Sequence, residues 1–314
     1  MCDSVLNSRY IQFSVLFKTG GCSDNLFFVS YGSITHMNLS ERPVFLAWHI
    51  RALAAFLLTC FAFFSCSTRS ADESGETEEE WISLFNGKDI DDWIVKIHHH
   101  EVNENFANTF RVEDGMIKVR YDGYGDFNDQ FGHLYYKEPF SHYHLVVEYR
   151  FSGDLQPGAP SYTLLNSGVM FHSQDPRTMP REQDWPISVE MQFLAGLGDG
   201  NPRPTGNMCS PGTHIVYNGK LDETHCISSS SKTYDKNAWV RAELMVWGDS
   251  LVKHIIEGDT VLQYSKPQIG GGVANRFDPA VKIDGKPLKE GFIALQSEGQ
   301  PIEFRKVMLK KLER

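Results

Sequence analysis

His144-Leu145-Val146-Val147-Glu148-Tyr149-Arg150-Phe151 alternates: Leu145, Val147, Tyr149 and Phe151 fall on one side of an extended chain, and His144, Glu148 and Arg150 fall on the other. Successive side chains of a strand point to opposite faces, so this stretch spells a strand with one face in a core and one face wet. Ile187-Ser188-Val189-Glu190-Met191-Gln192-Phe193 repeats the pattern, with Ile187, Val189, Met191 and Phe193 opposite Ser188, Glu190 and Gln192. It returns over 238–247, 251–257 and 291–297. Asn86-Gly87, Asp114-Gly115, Asn218-Gly219, Glu257-Gly258-Asp259 and Asp284-Gly285 punctuate the runs as turns. No long segment carries the 3.6-residue period of a helix. Many short strands without alternating helices predict an all-β protein, two packed antiparallel sheets of the jelly-roll kind. No internal repeat points to a propeller or solenoid. Two loops, 196–213 and 267–289, are long and rich in Gly, Pro and Asn, as functional or tethered loops are.

Composition narrows the function. Of 314 residues, 41% are hydrophobic, 12% aromatic and 22% charged, which describes a globular body with neither a disordered bias nor multiple membrane spans. Forty acidic against 30 basic residues give a net charge of -10, and no Lys/Arg stripe interleaves with aromatics; both argue against a nucleic-acid partner. There is no G-x-S-x-G elbow, no G-x-G-x-x-G and no P-loop, so a serine triad and nucleotide chemistry have no sequence support.

The front end reads as an address. Arg51 precedes an apolar run from Ala52 to Phe64, too short to span a bilayer comfortably, and Ser65-Cys66 follows. This predicts a lipoprotein signal over 37–65 with translation starting at Met37, lipidation of Cys66, and an upstream extension over 1–36 with no structural meaning; an ordinary secretion signal is the alternative. Residues 66–80 are polar and acidic, a flexible tether, and the domain proper is expected over 81–314. The expected location is the cell envelope, periplasm or outer membrane, with membrane contact through the lipid anchor only. Cys209 and Cys226 are the two cysteines of the body and suit a disulfide; two free buried thiols or half of a metal site are the alternatives.

Five pieces in order carry a family resemblance: Leu84-Phe85-Asn86-Gly87-Lys88-Asp89 with Trp93; Asn166-Ser167-Gly168-Val169-Met170-Phe171; Val189-Glu190-Met191-Gln192; Trp239 opening a long strand; and Gly291-Phe292-Ile293-Ala294-Leu295-Gln296 with Phe304-Arg305. Together they resemble the DUF1080, or 3-keto-disaccharide hydrolase, family, which implies a concanavalin A-like lectin/glucanase sandwich over nearly everything from Trp81 to Leu312. The chain departs from the family pattern at Lys306, where Asn is common, at Glu257-Gly258, where an Asn-Gly turn is common, and at His172, where an arginine often stands.

That resemblance implies a sugar site on the outward face of one sheet. Glu190 and Gln192 are two apart on one strand and therefore share a face, placing a carboxylate beside an amide; the structural alternative is a solvated or salt-bridged pair. Glu190 is the candidate acid/base. His172 and His133 are candidate proton carriers, because imidazole titrates near neutrality; either could equally be a hydrogen-bonded structural residue. Gln192, Gln296, Asn166 and Arg305 are candidate substrate contacts, with Arg305 alternatively a structural ion pair and Asn166 a turn cap. His98-His99-His100 suggests a metal tract, but neighbours on a strand point to opposite faces, so a solvated loop is the expectation.

The resemblance also implies a substrate, an oxidised glycoside with a ketone at sugar carbon 3. The ketone acidifies the carbon-2 hydrogen, so a base can remove it and the enolate can expel the carbon-1 substituent, with water adding back. Ordinary glycosidases flank an oxocarbenium-like transition state with two carboxylates instead. A cation, Arg305 or a bound divalent metal, is expected to hold the enolate; no other cofactor is indicated. Two rivals of other classes remain open: a non-catalytic carbohydrate-binding module of the same fold and a purely structural envelope protein.

Overall fold

The alternating segments become strands, and the structure, a computed structural model, describes residues 80–313. The expected extension (1–36), signal (37–65), Cys66 and the tether up to 79 lie outside the described residues. In chain order the strands are β1 (Trp81–Ser83), β2 (Trp93–Ile97), β3 (Phe110–Glu113), β4 (Met116–Val119), β5 (Gly132–Tyr136), β6 (His142–Phe151), β7 (Asn166–Ser173), β8 (Val189–Leu194) and β9 (Asn207–Cys209). There follow β10 (Thr213–Tyr217), β11 (Lys220–Asp222), β12 (Cys226–Ile227), β13 (Val240–Trp247), β14 (Leu251–Ile256), β15 (Asp259–Ile269), β16 (Phe292–Ser297) and β17 (Ile302–Lys311). Helix among the described residues is confined to three short 3-10 turns.

Two antiparallel sheets result. The larger runs β11-β10-β15-β14-β13-β6-β17-β4-β3, with β1 also on β17; the smaller runs β12-β9-β8-β7-β16-β5-β2. Strand β6 sits mid-sheet between β13 and β17. Its set Leu145, Val147, Tyr149 and Phe151 is buried in one cluster with Val169, Phe171, Val189, Met191, Phe193 and Leu295 of the smaller sheet. Tyr149 stacks on Phe193 with ring centroids 3.9 Å apart, direct contact between the layers. Each large apolar side chain so buried contributes roughly 1.5–3 kcal/mol before the entropy of ordering it is counted.

The turns follow the sequence. Asp114-Gly115, Asn218-Gly219 and Glu257-Gly258 join β3–β4, β10–β11 and β14–β15 with positive φ at both central residues, the geometry of a two-residue hairpin. Glu257, where the family pattern has Asn, is held there by its own side chain, whose Oε1 accepts from the Arg241 amide at 2.7 Å. The 196–213 segment is not all loop, since it contains β9. Cys209 of β9 pairs in register with Cys226 of β12, and the two sulfurs are bonded, fastening the edge of the smaller sheet.

Candidate functional site

The core takes every second residue of the smaller sheet, leaving the others on its outward face. Across that face the register sets Lys96 opposite His133, His133 opposite Gln296, Gly168 opposite Gln192, and Gln192 opposite Asn207. The result is a polar row across strands whose other faces are apolar. Within this row Gly168 contributes no side chain, and Glu190, from the adjacent strand, lies over it: a Cβ at 168 would collide with Glu190 Oε1. The Asn-Ser-Gly run thereby acquires a physical reason, because the glycine makes room for a neighbour's carboxyl.

A cavity of about 470 Å³ opens above Glu190, lined also by Gln192, Asn166, Trp185, Arg203 and Glu298. Glu190 is only 7% exposed, and among the described residues no group donates a hydrogen bond to its carboxyl. Burial therefore pushes its pKa up from 4.5 to about 8. Glu298 is buried as well, and desolvation followed by the nearby Glu190 raises its pKa well above the ordinary value. Two buried carboxyls share one cavity, both with raised pKa values, and among the described residues no cation pairs with either. Two buried carboxyls with raised pKa values in one cavity are groups able to exchange protons with a bound ligand near neutral pH.

The rest of the face presents polar atoms without protein partners: Asn166 Oδ1, Gln296 Oε1, Glu298 Oε2 and His133 Nε2. Buried polar atoms normally find a partner, so their convergence marks a surface suited to a polar ligand. Gln192 is oriented by Asn207, whose Nδ2 donates to its Oε1 at 2.9 Å, leaving the Gln192 amide hydrogens as donors. Lys96 is different: Nζ donates to the carbonyls of Ile97, His100 and Arg181 at 3.0–3.1 Å, so its ammonium is spent on structure. Burial pulls its pKa down to about 8.

The structure brings together Glu190, Gln192 and Asn166 in the cavity, with Gln296 and His133 in the adjoining row. His133 packs its ring against Trp185 at 5.5 Å, and burial, then Lys96, lower its pKa to about 3, so it is a neutral imidazole. Two expected site residues are elsewhere. His172 adopts φ 46 where β7 slips register against β16, and this kink carries it to a separate hollow with Gly248 and Asp249. There its Nε2 meets the Gly248 carbonyl at 3.0 Å, and burial lowers its pKa to about 4. Arg305 belongs to β17 of the larger sheet, where it bonds Glu148 at 2.6 Å and lies 4.4 Å over the Trp239 ring. It forms an ion pair there, on the sheet opposite the Glu190 cavity.

Sequence reading missed Glu298, Lys96, Arg203 and Trp185. Extending the alternation that joins Gln192 to Glu190 by one step past Gln296 would have reached Glu298. Arg203 and Trp185 sit in loops, where no periodicity signals them; Arg203 donates to the carbonyls of Leu164, Leu165 and Ala195 and so ties its loop to the cavity wall.

The family described as the 3-keto-alpha-glucoside-1,2-lyase-like domain matches residues 80–310. A Bacteroides thetaiotaomicron protein named 3-keto-disaccharide hydrolase is 23% identical over 258 residues, covering 74% of this chain and 79% of the relative. Among solved structures, a Parabacteroides distasonis protein provisionally described as a glycosyl hydrolase shares 16% identity at a TM-score of 0.45, covering 75% of this chain and 95% of that one. A Bacillus licheniformis beta-glucanase shares 10% at 0.40, covering 74% and 98%.

Proposed function

The chain belongs to the 3-keto-alpha-glucoside-1,2-lyase-like family, and from that premise we propose that it cleaves 3-keto-glycosides, 3-keto-disaccharides among them, in the cavity over Glu190. The observation that carries this reading is a buried carboxyl given room by Gly168, without an ion-pair partner among the described residues, in one cavity with a second buried carboxyl whose pKa is also raised.

In this mechanism the Glu190 carboxylate removes the carbon-2 proton acidified by the neighbouring ketone. The electron pair forms an enolate, then the carbon-1–carbon-2 double bond, as the bond from carbon 1 to the departing oxygen breaks. Glu298, still protonated, gives that oxygen its proton. The Gln192 amide, fixed by Asn207, is the donor available to the enolate oxygen, a role a charged group was expected to fill. Water adding across the double bond completes net hydrolysis. Because the base acts ionised, turnover rises with pH and levels off above about 8, as an apparent property of the carboxyl pair.

The test is incubation of the purified protein with a 3-keto-glucoside and identification of products. The expected result is release of the carbon-1 substituent, with Glu190→Gln lowering kcat on the order of 10²–10⁴-fold. Unchanged turnover in Glu190→Gln would overturn the assignment. Saturable sugar binding with no bond cleavage by the native chain would favour the carbohydrate-binding module instead.

A further inference from the structure

Beyond the cavity, the histidine tract has a geometry that strand alternation did not anticipate. Strand β2 ends at Ile97, and the chain turns at once: His99 takes φ 72. That left-handed residue cancels the alternation, so the rings of His98 and His99 stack side by side, centroids 3.6 Å apart. Glu182 completes the group, its Oε2 being 2.8 Å from His99 Nδ1. One ligand atom from each of His98, His99 and Glu182 falls within 4.8 Å of the others.

The tautomer of His98 is set for coordination. Its Nδ1 lies 2.8 Å from the Asp129 carbonyl, so the proton is on Nδ1 and the lone pair on Nε2. Nε2 is buried and has no protein partner. An imidazole whose far nitrogen donates to a backbone carbonyl is the usual outer support of a metal-bound histidine. The hollow around the three residues is also lined by Asp129, Asp184, Asn275 and Arg276. Arg276 lies 3.7 Å and Arg181 4.0 Å from the Glu182 carboxylate, and a bound cation would displace these loose contacts.

We propose that His98, His99 and Glu182 form a binding site for a divalent transition-metal ion of the zinc type, which takes two imidazoles, a carboxylate and water at about 2.0–2.2 Å. Closing ligand atoms now within 4.8 Å onto one ion is a matter of rotating the half-exposed His99 and Glu182 side chains. The site is distinct from the Glu190 cavity and independent of the proposed reaction, but the two are neighbours. Asp184 accepts from the amide of Trp185, a cavity residue, and from Asn275. Two further contacts already bind the loop to the turn: His99 N donates to Arg181 O at 3.0 Å and Arg181 Nε to His99 O at 2.6 Å. A metal would add a third fastening to the loop that carries Trp185.

The experiment titrates the full chain with Zn²⁺ alone by calorimetry, in parallel with Co²⁺ followed by its visible absorption, for the native protein, Glu182→Gln and His99→Ala. Both substitutions are at half-exposed positions, which keeps folding intact. The expected result is one equivalent of metal that binds at least tenfold more weakly in each variant, with a Co²⁺ spectrum showing nitrogen ligation that fades in His99→Ala. Metal binding indistinguishable among the three proteins, or no binding by the native chain, would overturn the site.

Discussion

The outward faces of the two sheets are built alike and behave oppositely. On the larger sheet, Glu148, Glu243 and Glu303 alternate with core residues, and each meets at least one cation: Glu148 has Arg305 and Lys306, Glu243 has Arg241 and a hydrogen bond with His144, and Glu303 has Arg120 and Arg150. His144 and Arg241 hold Glu243 down to about 2; Glu148 and Glu303, despite burial that would raise them, are held below the usual range by their arginine and lysine partners. At the smaller sheet, Glu190 on β8 and Glu298, one residue beyond β16, have no cation partner among the described residues, and their pKa values go up. One residue type thus serves as ion-pair scaffold on one side of the molecule and, in the mechanism proposed above, as base and acid on the other. The partner across the strand, and not the residue itself, decides between them.

The sharpest way to break this contrast, after Glu190→Gln itself, is to fill the space that Glu190 occupies. Gly168→Ala is expected to cut turnover by roughly 10²-fold, because a carboxyl misplaced by about 1 Å no longer reaches its proton. The check is kcat alongside a thermal melt; full activity with the methyl in place would show that Glu190 does not need its perch.

A second comparison sets stability against pH. The folded chain holds the Glu190 proton more tightly than the unfolded chain, so its contribution is complete below 4.5 and is lost as pH climbs through about 8. Glu190→Gln should therefore melt higher than the native protein near pH 9 and no higher near pH 4, a tenfold difference in proton affinity being worth about 1.4 kcal/mol. Glu243 has the opposite sign. Its contribution is present above 4.5 and is lost as pH falls through about 2, so Glu243→Gln should melt lower by a few degrees near pH 7 and converge with the native protein in acid. Melts of both variants across pH, departing from the native protein in opposite directions as pH rises, would sharpen the contrast; curves parallel to the native one would remove it.

The smallest effect is expected at Arg305. Arg305→Ala gives up a bond to Glu148 and a contact with Trp239, worth on the order of 1 kcal/mol, and should leave kcat/KM within about twofold. A large loss of activity there would show that the larger sheet reaches the chemistry after all.

What could be read in advance follows from period two. Alternation is imposed by water on one side and a core on the other, so the sandwich, the strands β6 and β8, and the shared face of Glu190 and Gln192 were legible. Which sheet a strand joins is settled by long-range pairing, which leaves no local mark; Arg305 therefore reads as a site residue and lies on the opposite layer. Left-handed residues are the second blind spot. At His172 one such residue removes a side chain from the expected face, and at His99 another brings two neighbours together that alternation would separate. Lys96 was hidden for a third reason, since a lysine on a strand reads as solvated, whereas here three carbonyls accept its ammonium in the interior.

The fit of Glu190 over Gly168 has a consequence for redesign. Positions 168 and 190 share a single side chain's volume, so they constitute one unit of variation contributed by two strands. Paired substitutions there should be strongly non-additive. A library that randomises 190 while retaining glycine at 168 explores new reactive groups, whereas one that randomises 168 alone chiefly samples ways to evict the group already there.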